Sequence, residues 1–140
     1  NEGLLLNLEY TDTKGEPVEI KNLPQGTDFI AQVSVTNRSV VRLDDLALTH
    51  MVAAGWEIHN PRFGNEEENQ QQPLDYQDIR DDRVLSYFKL APGETRRLKL
   101  LLNASYRGRY YLPAVSVESM YDASKHARTA GQWVKVDAGK

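Results

Sequence analysis

The chain has 140 residues, of which 40% are hydrophobic and 26% charged, and its formal net charge is −3. This length suits one domain, since typical domains hold roughly 100 to 200 residues. The composition excludes collagen-like and wholly disordered chains. The negative charge supplies no single-sign basic surface, so we expect no nucleic-acid partner. Cysteine is absent, which excludes disulfides, thiolate metal sites and cysteine nucleophiles.

The first residues of the chain show no targeting signal. The sequence begins Asn1-Glu2-Gly3, without an initiator methionine, a basic segment or an apolar segment. No apolar run approaches the ~20 residues needed to cross a bilayer. We therefore expect residues 1–140 to be a single domain taken from a larger chain, with any targeting information upstream.

Alternation of apolar and polar residues, which is typical of β-strands, dominates the first half of the chain. Residues 4–10 predict a first strand, residues 18–20 a short one and residues 29–36 a second long one. Residues 46–58 are interpreted as one further strand. A helix over residues 43–54 is the alternative, because that stretch is rich in Leu, Ala and Met.

The second half repeats the alternating pattern after a long polar segment. Residues 60–78 are acidic and glutamine-rich with few apolar side chains, so they predict a long loop. Further strands are predicted at residues 84–90, 98–104, 110–120 and 133–136.

About seven strands separated by turn signals are typical of an all-β fold. No internal repeat suggests a propeller or a solenoid. We therefore predict a single antiparallel β-sandwich. One short helical turn is allowed for, either in residues 124–130 or near residues 75–82.

Metal and nucleophile motifs are weak in this sequence. His50 and His59 are nine positions apart, unlike the spacing of helical zinc sites, and His126 is distant in sequence. We interpret the histidines as solvated or capped residues. No Gly-x-Ser-x-Gly motif and no glycine-rich phosphate loop is present. We therefore predict neither a metal nor a cofactor, and no enzymatic activity.

An acidic segment is the densest group of carboxylates. It contains four aspartates with two interleaved arginines: Asp75, Asp78, Asp81, Asp82, Arg80 and Arg83. Paired carboxylates could serve glycoside hydrolysis, so a small hydrolase using Asp81 or Asp82 remains an alternative. The preferred interpretation is an ion-pair cluster that pins the end of the polar loop to the next strand, because arginine pairs well with carboxylates and would repel a bound cation.

Aromatic residues are concentrated toward the end of the chain. They are Tyr106, Tyr110, Tyr111, Tyr121 and Trp133. Tyrosine combines a large apolar ring with a polar tip, so it suits both domain packing and interfaces. If residues 110 and 111 alternate, one ring is internal and the other faces out. Exposed rings would also suit an adhesin-like or carbohydrate-binding module, which is the alternative function.

Several segments in order resemble the C-terminal macroglobulin-like domain of bacterial alpha-macroglobulins, the counterpart of the vertebrate receptor-binding domain. They are GWEIHN at 55–60, DIRDDRVLSYF at 78–88, RGRYYLPAV at 107–115, MYD at 120–122 and GQWV at 131–134. The resemblance covers roughly residues 43–136. It implies a macroglobulin-like β-sandwich at the end of a very large periplasmic protein with a lipid anchor in the inner membrane.

The resemblance also implies a function within a protease trap. In the family, cleavage of a bait region releases a thioester domain, whose Cys–Gln bond acylates the attacking protease. The last domain docks on the thioester domain and shields the bond until activation. The implied partners are the thioester domain, neighbouring macroglobulin-like domains and the trapped proteases. A thioester cannot lie in this chain, because it has no cysteine.

The resemblance assigns the contact with the thioester domain to one short segment. Tyr121 and Met120 match the family's contact positions, with Asp122 beside them. Tyr110 and Tyr111 are further candidates. The lysine-rich helix that vertebrate members use for receptor recognition has no counterpart in this sequence, so that function is not expected here.

Overall fold

The protein is described by a computed structural model that covers residues 3–60, 76–80, 82–122 and 124–138. Within these ranges the chain forms strands and turns and contains no helix. The strands are β1 (Leu4–Thr11), β2 (Asn22–Pro24), β3 (Asp28–Asn37), β4 (Leu43–Met51), β5 (Trp56–Asn60), β6 (Tyr76–Ile79), β7 (Arg83–Leu90), β8 (Thr95–Ala104), β9 (Gly108–Leu112), β10 (Ser116–Ser119), β11 (His126–Arg128) and β12 (Gln132–Asp137).

These strands form three sheets. Sheet I has the order β1-β3-β8-β5, sheet II the order β11-β10-β4-β7-β6, and sheet III the order β2-β12-β9. Among the described strands, β2 and β12 run parallel, and the other pairs are antiparallel. The predicted all-β, antiparallel architecture is confirmed. The expected seven strands are too few, because two predicted strands divide between sheets and because β6 and β11 were not predicted.

The core explains how the three sheets make two layers. One apolar cluster joins sheet I to sheet III, and a second joins sheet I to sheet II. Sheet I therefore forms one layer, and sheets II and III together form the other. The inward-facing side chains of β3 contribute to both clusters, with Phe29 and Ala31 in the first and Val33 and Val35 in the second.

Residues 46–58 form two strands instead of the single strand predicted. The chain leaves sheet II at the end of β4, turns, and enters sheet I as β5. The turn is closed by the amide of Trp56, which donates to the carbonyl of Ala53 at 3.0 Å. Gly55 is required here, because a Cβ at this position would lie 2.1 Å from Cε2 of Tyr110. The alternative helix over residues 43–54 is also wrong.

Residues 110–120 likewise divide between two sheets. β9 belongs to sheet III and β10 to sheet II, and the connection contains Pro113. Proline lacks the amide that a continuous ladder needs, which explains the break. The short strand predicted at residues 18–20 does not form. The short strand is instead β2, and Ile20 reaches the core from a turn.

The allowance for a short helical turn in residues 124–130 is wrong, because β11 occupies residues 126–128 and pairs with β10. In the second candidate range, residues 76–79 are β6, and the described residues 80 and 82 are not helical either. Residues 75 and 81 and the acidic, glutamine-rich segment at 64–74 lie outside the described residues. Across the described ranges, no helix could span a membrane.

The two ends of the sandwich carry different turns. The Gly3 end comprises Gly3, the turns at residues 38–42 and 91–94, and the described residues 119–122 and 124–125. It is held together by hydrogen bonds such as those from the amide of Arg38 to the carbonyl of Gly3 and from the amide of Gly93 to the carbonyl of Asn37, both 2.7 Å. The Trp56 end comprises the turns at residues 52–55 and 104–108.

Candidate docking site

A hairpin turn between β10 and β11 presents the segment that the sequence singled out. β10 pairs with the start of β4 through Ser119 and Leu46, and its pairing with β11 ends at Glu118 and His126. The chain between these strands must therefore project beyond sheet II. This turn, of which residues 119–122 and 124–125 are described, is called the tyrosine loop.

Backbone hydrogen bonds fix the base of the tyrosine loop. The amide of Met120 donates to the carbonyl of Asp45 at 2.8 Å, and the amide of Ser119 donates to the carbonyl of Lys125 at 2.9 Å. Ser119 is 8% exposed, and its Oγ accepts from the amides of Tyr121 and Asp122 at 3.3 and 3.2 Å. Such local side-chain bonds replace ladder partners where a strand ends.

Asp122 stabilises the far side of the tyrosine loop. Its Oδ1 accepts from Oγ and from the amide of Ser124 at 2.7 and 3.1 Å. These bonds, together with the nearby charge of Lys125, hold the pKa of Asp122 below its usual value. The carboxylate is therefore ionised at neutral pH and helps to hold the loop in shape. This local role is additional to the contact role that the resemblance predicts for Asp122.

Two large apolar side chains project from this braced loop. The side chain of Tyr121 is 85% exposed and that of Met120 is 60% exposed. Neither side chain belongs to the domain's own core. A hydrogen-bonded loop carrying an aromatic ring and an adaptable thioether is suited to insertion into a recess on another protein surface.

Removal of the Ser119 hydroxyl should loosen this loop. We expect Ser119→Ala to lower the free energy of unfolding by about 1–2 kcal/mol, because two amides lose their acceptor. Hydrogen exchange followed by mass spectrometry should show faster exchange in residues 119–122. Ser116→Ala at the start of β10 is the matched control. Unchanged exchange at residues 121 and 122 would contradict the bracing role.

Tyr110 and Tyr111 do not lie on the tyrosine loop. Both are on β9 in sheet III, where their side chains alternate as the sequence suggested. The Tyr110 ring is packed against the core and covers Gly55 and Gly108. Its hydroxyl donates to the carbonyl of Arg107 at 2.9 Å. Tyr110 is therefore committed to packing within the domain, which argues against its predicted contact role.

Tyr111 lies on the outer face of sheet III beside another exposed ring. It pairs across the strands with Trp133, and the two rings meet edge to face with centroids 5.4 Å apart. The guanidinium carbon of Arg109 lies 4.4 Å from the Trp133 ring centroid. This aromatic pair is separate from the tyrosine loop because it belongs to a different sheet.

The acidic segment forms local ion pairs, as its preferred interpretation predicted. Arg80 contacts Asp78 at 2.9 Å, and Arg83 contacts Asp82 through two nitrogens at 3.1 and 3.2 Å. The Arg83 hydrogen bonds hold the pKa of Asp82 below its usual value. Asp75 and Asp81 lie outside the described residues. The described pairs join residues one or two positions apart in sequence, so they are local to the ends of β6 and β7.

A pocket of about 830 Å³ at the Trp56 end is the natural place to look for hydrolytic chemistry. Its lining includes Glu57 and Asp82. Ser105 and Tyr106 donate to Glu57 and lower its pKa. A glycosidase needs one carboxyl with a raised pKa as its acid. The pKa values of Glu57 and Asp82 are both lowered, so neither carboxyl suits the role of the acid. Asp81, the other residue of the hydrolase alternative, lies outside the described residues.

The histidines do not come together as a metal site. Within the described ranges, no group of three or more His, Asp or Glu side chains could hold a metal ion. His59 lies 3.6 Å from Glu57 and is partly exposed, and His126 is exposed on β11. His50 is only 3% exposed, so it is not a solvated residue.

Two exposed valines were missed by the sequence analysis. Val40 is 92% exposed and Val41 is 51% exposed. Alternation assigns apolar residues to strands, but this pair follows the turn signal Asn37-Arg38-Ser39. Apolar residues placed immediately after a turn signal were the available clue.

Solved structures share this arrangement of sheets. Native alpha-2-macroglobulin from Escherichia coli, solved from domain MG7 to the C-terminus, aligns with a TM-score of 0.85 at 23% identity, over 97% of this chain and 24% of that one. Salmonella alpha-2-macroglobulin reacted with methylamine aligns with a TM-score of 0.84 at 25% identity, over 96% of this chain and 9% of that one. The fold is therefore that of a macroglobulin domain.

The sequence itself defines the family more closely. The family model described as the bacterial alpha-2-macroglobulin MG10 domain matches residues 3–123, and the chain belongs to this family. Alpha-2-macroglobulin of Pasteurella multocida (strain Pm70) is 28% identical over 132 residues, which is 94% of this chain and 7% of that protein. The chain thus spans about 7% of the length of the curated relatives it matches.

Proposed function

We propose that this domain docks on the thioester domain of its parent alpha-macroglobulin and shields the thioester bond until a bait region is cleaved. The observation that carries the proposal is the 85% exposure of Tyr121 on a loop braced by Ser119. The ring is uncovered, while two part-buried hydrogen bonds to Ser119 hold the backbone that carries it. This arrangement is expected of an anchor for another domain. In this role it is a binding module without catalytic activity.

Water exclusion provides the physical basis of the shielding. A thioester reacts with water and amines that reach its carbonyl carbon, so a dry cover lengthens its lifetime. The Tyr121 ring supplies a rigid apolar surface, and the flexible Met120 side chain fills space beside it. The reactive cysteine belongs to another domain, since this chain contains none.

The whole parent is proposed to trap proteases. The E. coli alpha-2-macroglobulin structures that match this fold include forms activated by porcine elastase and by trypsin. By analogy, proteases that cleave the parent would be its targets, and the trap would protect the bacterium against host enzymes. Its neighbouring macroglobulin-like domains would surround this one. We further propose that the domain is C-terminal and the parent periplasmic, with an N-terminal lipid anchor in the inner membrane.

Substitution of Tyr121 tests the proposal. In the full-length parent, Tyr121→Ala should accelerate incorporation of methylamine at the thioester by roughly 10- to 100-fold. Burial of a large side chain is worth roughly 1.5–3 kcal/mol, and each 1.4 kcal/mol changes the undocked population about tenfold. Labelled methylamine and mass spectrometry measure the rate.

Tyr106→Ala is the matched control, because Tyr106 is a 54% exposed tyrosine at the opposite, Trp56 end. It should leave the rate of methylamine incorporation unchanged. An equal rate in the Tyr121 variant and the wild type would reject the shielding role.

The carbohydrate-binding alternative would rely on the aromatic pair of sheet III. Sugar binding to aromatic side chains uses an open ring face. Arg109 already lies over the Trp133 ring, and the edge-to-face contact with Tyr111 keeps the two rings out of one plane. This geometry does not form a flat platform, so we prefer the docking role.

A further inference from the structure

The turn between β3 and β4 presents apolar side chains as openly as the tyrosine loop does. In this turn, residues 38–42, Val40 is 92% exposed and Val41 is 51% exposed. Single exposed apolar residues are common on protein surfaces, whereas adjacent ones that meet other exposed apolar groups mark interaction sites. We call this turn the valine loop.

A buried asparagine holds the valine loop in one conformation. The side chain of Asn37 is fully buried, and its Nδ2 donates to the carbonyls of Val41 and Leu90 at 2.9 and 3.1 Å. Its Oδ1 accepts from the amide and the Oγ of Ser39 at 2.9 and 2.7 Å. The Ser39 hydroxyl is also within 3.0 Å of the Val41 carbonyl.

None of these hydrogen bonds uses the side chains of Val40 or Val41. The loop geometry would be served equally by polar residues at both positions, which would also be better solvated. The two apolar side chains therefore contribute little to the fold of the isolated domain. A preorganised loop loses little conformational entropy on binding, so apolar groups placed on it yield more affinity than groups on a mobile loop.

The valine loop and the tyrosine loop are neighbours at the Gly3 end. A Cβ placed on Gly3 would lie 3.2 Å from Cδ of Lys125 in the tyrosine loop and 3.3 Å from Cβ of Ser39 in the valine loop. The two loops therefore approach each other over the Gly3 backbone. The hydrogen bond from Met120 to the carbonyl of Asp45 places the tyrosine loop beside the start of β4, which the valine loop precedes.

We infer that the valine loop is the second half of the docking surface, with Val40 as an apolar anchor for the same thioester domain that receives Tyr121. This inference rests on the proposed function. The occupant is chosen because the relatives are far longer than this chain, which spans about 7% of them, and because the valine loop adjoins the tyrosine loop. The ionised Asp122 and the exposed Arg42–Asp44 ion pair form polar parts of the same end.

Photo-crosslinking in the full-length parent tests the shared partner. A benzophenone amino acid is introduced separately at positions 40, 121 and 79, and the crosslinked peptides are identified by mass spectrometry. We expect positions 40 and 121 to crosslink to the thioester domain. Position 79 is the control, because Ile79 is a 41% exposed aliphatic residue beside the pocket at the Trp56 end.

Substitutions at position 40 test its energetic role. Val40→Asp should reduce the crosslink from position 121 to the thioester domain about tenfold, because a carboxylate would be buried without a partner. Val40→Ile should keep the yield within about twofold, since it preserves the apolar anchor. In the 140-residue chain alone, thermal unfolding of both variants should match that of the wild type, because residue 40 is almost fully exposed there.

The outcomes separate this inference from the proposed function. A crosslink to the thioester domain from position 121 but not from position 40 would overturn the role of the valine loop and leave the proposed function intact. An unchanged yield of the crosslink from position 121 in the Val40→Asp variant would also overturn the role of the valine loop and leave the proposed function intact. Failure of both positions to reach the thioester domain would overturn both proposals.

Discussion

Replacing Phe29 by alanine is expected to lower the free energy of unfolding of the 140-residue chain by about 3–5 kcal/mol. Phe29 is fully buried, and its ring meets that of Trp56 edge to face at 4.9 Å and that of Tyr10 at 6.2 Å. The substitution opens a cavity between sheets I and III and removes both aromatic contacts. Urea denaturation followed by tryptophan fluorescence measures the effect.

Tyr121→Ala is the matched control for this substitution, and we expect it to change the free energy of unfolding by less than about 0.5 kcal/mol. Its ring is 85% exposed, so its removal leaves the core unchanged. Unchanged stability of Tyr121→Ala would also show that faster methylamine incorporation in this variant results from weaker docking and not from unfolding of the domain. If Phe29→Ala lowered the free energy of unfolding by less than about 1 kcal/mol, the placement of this ring in the core would be contradicted.

Lowering the pH from about 7 to 4 should remove on the order of 3 kcal/mol of stability through His50. Burial lowers the pKa of His50 from 6.5 to about 4. Above pH 6.5 the ring is neutral in both states. Between pH 6.5 and 4 the unfolded chain binds a proton that the folded chain does not, so stability falls. Below pH 4 both states are protonated and this loss is complete.

Denaturation of His50→Met across this pH range isolates the contribution. Methionine fills a similar volume without titrating, so the free energy of unfolding of the variant should depend less steeply on pH than that of the wild type. His126→Gln is the control, because it removes a histidine exposed on β11. Parallel pH profiles for His50→Met and the wild type would show that burial of His50 does not produce the acid sensitivity.

Most strand faces could be predicted from the alternation of residue types. The inward face of β3, from Phe29 to Val35, is buried as the pattern required. The inward face of β1 also follows the pattern, with Leu4 buried and Leu6 half-buried. This succeeds because side-chain direction along a strand has a period of two residues, whichever strand lies beside it.

Sheet membership could not be predicted in the same way. β4 and β5 are separated by four residues, yet they belong to different sheets. β9 and β10 are also close in sequence and also belong to different sheets. An apolar run that crosses from one sheet to another keeps the same pattern as one long strand. The crossing depends on distant partners, such as Tyr110, whose ring requires glycine at position 55.

The candidate site was only partly visible in the sequence. The resemblance directed attention to Tyr121 and Met120, and both side chains are exposed. It also included Tyr110, which the strand register turns toward the core. Val40 was missed because no local sequence pattern shows that the valine loop adjoins the tyrosine loop. That neighbourhood depends on Gly3, which is distant from both loops in sequence.

The sequence by itself determined the all-β class, most strand faces and the absence of a thiol, because composition and two-residue periodicity are local properties. Only the tertiary structure decided which strands share a sheet, how deeply His50 and Asn37 are buried, and which loops meet at the Gly3 end. These features arise from contacts between distant residues, such as that of Asn37 with the Leu90 carbonyl 53 positions away. Such contacts form when the layers pack, and no local pattern encodes them.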